Sequence, residues 1–93
     1  MPSITILVPA AGATVARPFP TSGTYEDDNP NPSINVYLEG GSGVVLATIE
    51  ELQVGGGNWS GVLNPRNAVA NTTVYAEITG TTASDSHGNI TVN

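Results

Sequence analysis

The sequence predicts an all-β fold, two antiparallel sheets of about seven strands in all, packed face to face over one core. Three observations lead there. Apolar and polar residues alternate with period two in Ile4-Thr5-Ile6-Leu7-Val8, in Ile34-Asn35-Val36-Tyr37-Leu38-Glu39 and in Val74-Tyr75-Ala76-Glu77-Ile78-Thr79, as in strands with one buried face. Clusters of glycine, proline, asparagine and aspartate separate the alternating stretches at the spacing of a sandwich. Eleven glycines, seven prolines, abundant threonine and valine and no lysine disfavour helices.

The strands follow in order. They are expected near residues 3–8, 19–25, 33–39, 44–53, 58–63, 72–82 and 89–93, with turns at Pro9–Gly12, Asp27–Pro32, Gly40–Gly43, Gly55–Asn58, Asn64–Asn67 and Asp85–Asn89. Each turn cluster contains residues that tolerate positive φ or close a turn through their own side chains. The inward phase of these strands predicts a core of Ile4, Ile6, Phe19, Ile34, Val36, Leu38, Leu46, Trp59, Leu63, Val74, Ala76, Ile78, Ile90 and Val92. Trp59, the largest of them, is expected to bury its ring and to find one partner for its indole N–H. Glu50-Glu51 puts adjacent charges in an otherwise alternating strand, which predicts a bulge or an edge strand with one charge turned inward.

A chain of 93 residues has room for one domain, residues 1–93. A domain of this size folds without staples, and there is no cysteine to provide one. Two arginines, Arg17 and Arg66, stand against eight carboxylates, for a formal charge of −6. That excludes nucleic acid and anionic membranes as partners, since both need a basic stripe. No segment is long and apolar enough for a spanning helix. The first positive charge is Arg17 and prolines interrupt the apolar start, so no secretory signal is expected. The chain is then either made as it stands or exported within something longer. On that ground Asn58-Trp59-Ser60, Asn71-Thr72-Thr73 and Asn89-Ile90-Thr91 are read as chance matches to the glycosylation pattern.

Five stretches carry a family resemblance. They are Ile4-Thr5-Ile6 through Gly12-Ala13-Thr14-Val15, Phe19 to Thr24, Gly57-Asn58-Trp59-Ser60, Val74-Tyr75-Ala76-Glu77 and Asp85-Ser86-His87-Gly88-Asn89. In this order they resemble the bacterial immunoglobulin-like modules (Big- and Bap-type) found in tandem on surface adhesins and secreted enzymes, and singly on phage virion proteins. The resemblance implies an immunoglobulin-like sandwich, with Asp85–Asn89 as its final turn. The acidic stretch 26–32 departs from the compact turn usual in these modules.

No constellation for catalysis emerges, and no cofactor is expected. His87 is the sole histidine and is expected at an exposed turn, without a base or nucleophile beside it. Glu26, Asp27 and Asp28, with Asp85, are the candidate calcium ligands. They fall short of the six to eight oxygens calcium takes and match no defined loop pattern, so a solvated loop is the expected reading. Partner contact is assigned to surfaces: Thr5 and Leu7 on the uncharged first strand, and Tyr25, Tyr37 and Tyr75 on outward phases, with a sugar or a protein as ligand. A filled interior is expected to leave no ligand-sized cavity. Two functions remain in view. One is a virion accessory protein, a head decoration or tail-surface domain at the virion surface, held by a capsid or tail lattice and forming a homo-oligomer there. The alternative is an extracellular or cell-surface spacer or binding repeat of an adhesin or a polysaccharide-acting enzyme, whose partners are neighbouring domains or a glycan.

Overall fold

A computed structural model describes residues 2–29 and 32–93; Pro30 and Asn31 of the acidic loop and Met1 lie outside the described residues. Among the described residues nine strands form two sheets: β1 (Ser3–Val8), β2 (Thr14–Val15), β3 (Phe19–Glu26), β4 (Ile34–Glu39), β5 (Val45–Thr48), β6 (Glu50–Gly55), β7 (Asn58–Leu63), β8 (Val69–Ile78) and β9 (Ser84–Val92). The first sheet has the order β1-β3-β7-β6 and the second β2-β9-β8-β4-β5. All pairings are antiparallel except β2 with β9, which is parallel. The purely antiparallel arrangement expected from sequence is corrected at that strand.

The core matches the predicted phase. Ile4, Ile6, Phe19, Ile34, Val36, Leu38, Trp59, Leu63, Val74, Ala76, Ile78, Ile90 and Val92 are buried, and Leu46 packs against them half-buried. Leu46 falls short of full burial because β5 is a short strand at the sheet edge. The ring of Trp59 is 1% exposed, yet its Nε1 has no hydrogen-bond partner among the described residues. The partner expected for the indole is not there.

The strand expected at 44–53 is two strands in different sheets. The chain crosses at Ile49, whose N–H donates to the Val36 carbonyl at 2.8 Å. Its side chain fills the space over Gly61, where a Cβ would meet Ile49 Cγ1 at 2.5 Å. Glu51 then takes φ 54° and the β6–β7 register slips between Glu50 and Gln53. The bulge is the predicted one, and it turns both glutamates to solvent; neither points inward. β6 and β7 are joined through Gly56 and Gly57, at φ 61° and 83°, the two positive values that a type I′ hairpin requires.

A second correction concerns the end of the chain. Asp85–Asn89 is part of β9, and the turn lies at 79–83. Gly80 has φ 83°. The Thr81 hydroxyl donates to the Ile78 carbonyl at 2.8 Å and accepts the Ala83 N–H at 3.0 Å. Threonine's β propensity is overridden by a hydroxyl that closes the turn. Gly88 and Asn89 form a bulge, the register slipping between Thr72 and Val74 while Asn89 sits at φ 56°.

β1 does not lie flat on its sheet. It pairs with β3 and also reaches across to β9, so one side of the sandwich is closed and the two sheets read as a curled, half-barrel-like arrangement.

Candidate interaction surfaces

The stretch Asp85–His87 faces the first strand. Asp85 Oδ2 accepts the Ile6 N–H at 2.8 Å, and its Oδ1 accepts the Ser86 N–H at 2.9 Å. His87 Nδ1 lies 2.7 Å from the Pro9 carbonyl oxygen, so this nitrogen carries the hydrogen. Its Nε2 is 3.8 Å from Asp85 Oδ2. Gly12 N–H donates to the Gly88 carbonyl at 3.0 Å. His87 is therefore half-buried on a strand and not exposed at a turn, because β9 continues through the residues expected to turn. The sequence carried a signal for this: Asp85 and His87 are two apart, the spacing that puts side chains on one strand face.

The calcium candidates are divided by the fold. Asp85 is engaged with β1 opposite Gly23, while Glu26 pairs with Ser3, three residues further along β3, about 10 Å away at strand rise. The Asp28 N–H donates to Asp27 Oδ1 at 2.8 Å, within the acidic stretch itself. Among the described residues no group of three or more His, Cys, Asp or Glu is placed to hold a metal ion.

The outer face of the first sheet holds a feature the sequence did not suggest. Ser22 pairs with Ser60, and Ser60 with Gln53. These short side chains and Gly23 form the floor of an open groove of about 470 Å³, walled by Leu7 on one side and by Gln53 and Asn58 on the other. The expectation that no concavity of ligand size exists is corrected here. The interior is filled as expected, but small residues flanked by larger ones hollow the outer face. Among the described residues no charged one lines the groove. Thr5 and Leu7 are exposed on β1, and Leu7 forms part of the wall.

The three tyrosines separate. Tyr25 lies on the inward phase of β3 and packs half-buried against the core, so the outward phase expected for it is corrected. Tyr37 and Tyr75 are directly opposed on β4 and β8 and stack with ring centroids 5.4 Å apart and planes inclined by 16°. Partial burial, then the carboxylates of Glu77 and Glu39, then Tyr75 push the Tyr37 phenol above its ordinary pKa.

No protein-family description and no curated protein matches the chain. Solved structures do. The endo-β-1,4-mannanase from Thermotoga petrophila is similar over 100% of this chain and 20% of its own, with a TM-score of 0.65 and 18% identity. A chimeric titin Z1Z2 tandem is similar over 96% of this chain and 45% of its own, with a TM-score of 0.47 and 11% identity. The chain thus spans about a fifth of the length of the mannanase, and what the two share along that stretch is the fold.

Proposed function

We propose that this chain is an immunoglobulin-type accessory module, a non-catalytic interaction domain that works beside a larger extracellular or cell-surface protein such as a polysaccharide-acting enzyme. The observation that carries the reading is the fold shared, along the whole chain, with 20% of a mannanase. Strand order supports it: β1-β3-β7-β6 facing β9-β8-β4-β5 corresponds to A-B-E-D facing G-F-C, with an added C′ strand, in immunoglobulin sandwiches. Of the two roles left in view by the sequence, the fold kinship favours this one over the virion accessory.

The groove on the first sheet suits an uncharged polysaccharide. Its amides, Gln53 and Asn58, and its hydroxyls, Ser22 and Ser60, both donate and accept hydrogen bonds, as sugar hydroxyls demand, and no carboxylate competes. Affinity electrophoresis tests the reading. Migration should slow in a gel containing soluble β-1,4-mannan, and the retardation should fall in the double variant Gln53→Ala/Asn58→Ala. Unchanged mobility in mannan and in neutral β-glucans would overturn the glycan role.

A further inference from the structure

Four residues in register cross the second sheet: Thr48 on β5, Tyr37 on β4, Tyr75 on β8 and Ser86 on β9. The central two stack on each other. Stacking between neighbouring strands stands the rings upright, so each spends one face on its partner and turns the other along the row. Those outer faces look toward Thr48 and Ser86, whose side chains are too short to cover a ring.

Carboxylates flank the pair on both sides. Glu39 lies two residues beyond Tyr37, and Glu77 two beyond Tyr75; because the strands are antiparallel, the acids stand at opposite ends of the stack. Glu39 is opposite Thr73, and Glu77 is opposite Asn35, whose amide donates to it at 3.4 Å. Neither glutamate has an ion-pair partner among the described residues. Arg17 is occupied elsewhere, donating to the carbonyls of Asn93 and Arg66 at 2.9 and 2.6 Å.

We propose that this face docks an arginine-bearing segment of a protein partner, with a guanidinium laid on the outer ring face of Tyr37 or Tyr75 and bridged to Glu39 or Glu77. Charge and shape select the occupant. A planar cation satisfies the ring and the carboxylate together, and arginine stacks where the ammonium of lysine does not. A second copy would bring the same two carboxylates against themselves on a chain of net charge −6. A neutral glycan could donate hydrogen bonds to the carboxylates but would leave their charge uncompensated. The proposal rests on the reading of the chain as an interaction module, but it concerns the sheet opposite the groove, so the polysaccharide assay and the one below fail independently.

The test is titration of the ¹⁵N-labelled chain with the capped peptide Gly-Arg-Gly-Arg-Gly at low salt, alongside its lysine and glutamate counterparts. Amide shifts should concentrate at residues 35–39, 73–77 and 84–86, with the arginine peptide binding most tightly and the glutamate peptide not at all. Tyr75→Ala and Glu39→Gln/Glu77→Gln should each weaken binding about threefold or more. Should Tyr75→Ala disturb the fold, Thr48→Arg with Ser86→Arg keeps the tyrosines and lays the chain's own guanidinium on each ring; this variant should lose peptide binding. Shifts centred on the acidic residues 26–29, or undiminished binding by Thr48→Arg/Ser86→Arg, would overturn the proposal, as would stronger binding of the lysine peptide.

Discussion

Asp85 Oδ2 accepts the backbone N–H of Ile6 across 2.8 Å, so a side chain of the last long strand completes the hydrogen bonding of the first. Ile6 points its amide away from β3, toward the side where an edge strand offers itself to other chains. The first strand carries no charge of its own, and β9 supplies one. With the donor orphaned, Asp85→Ala should lower stability by about 1–3 kcal/mol. Asp85→Asn, which retains an acceptor, should cost less. Urea denaturation measures both, and light scattering should detect association of the alanine variant through its uncovered edge.

Gly23 has no room for a side chain. A Cβ there would collide with the Thr5 carbonyl oxygen and come within 2.7 Å of Trp59 Cζ2. One obstacle is backbone and the other a fully buried ring, so neither yields. Gly23→Ala should destabilise by about 3 kcal/mol, far beyond the small change usual for a surface position in a strand. A thermal midpoint close to that of the parent chain would show that β1 can move off β3.

Trp59 is the largest fully buried side chain among the described residues, which makes a graded series there informative. Trp59→Ala should cost about 3–5 kcal/mol through the lost ring and the cavity left behind. Trp59→Phe removes the same indole N–H but keeps an aromatic ring in the core and leaves a smaller cavity, and should cost distinctly less. Equal losses for the two variants would show that a phenyl ring cannot fill the site. The intrinsic fluorescence of the parent should be blue-shifted and poorly quenched by acrylamide.

Tyr37 gives the fold a sensitivity at alkaline pH. Its phenol is held above the ordinary value by partial burial and by Glu77 and Glu39, so folding favours the protonated form. That contribution is complete below the unfolded value near 10 and is lost as pH rises through the higher folded value. Denaturation midpoints should fall above about pH 10 in the parent, and less steeply in Tyr37→Phe. Absorbance at 295 nm should show a phase of tyrosine ionisation above the ordinary value that vanishes in the variant.

Much of this fold was legible because alternation fixes which face of a strand is buried. Ile34, Val36 and Leu38 face the core along β4, as Val74, Ala76 and Ile78 do along β8. Periodicity has no comparable signal for a change of sheet. Val45 to Val54 reads as one strand, although the chain crosses at Ile49, because an apolar residue at a crossing looks like any other core position. The last turn was misplaced for a chemical reason. Asp-Ser-His-Gly-Asn has turn composition, but Asp85 spends a carboxylate oxygen on β1 and His87 a ring nitrogen on Pro9 just after it, while a hydroxyl of Thr81 does the turning in a segment that reads as strand. Of the candidate surfaces, Tyr37 and Tyr75 were legible as outward residues, yet their opposition depends on the β4–β8 register. The groove depends on three strands bringing Ser22, Ser60 and Gln53 into one row, which no local pattern encodes.

The lacing of the first strand to the last has a consequence for the order in which the chain can be completed. Residues 3–8 leave the ribosome about 80 residues ahead of their partners, since the carboxylate that occupies their outer edge belongs to residue 85 and the carbonyl that receives Gly12 belongs to residue 88. Until residues 85–88 have emerged, β1 is an apolar segment with an open edge, and its closing contacts are among the longest-range in the fold, the kind that form slowly. The nascent domain is therefore vulnerable at β1, and a pause in translation before residue 88 would prolong the interval in which Leu7 and Val8 are free to join the wrong strand.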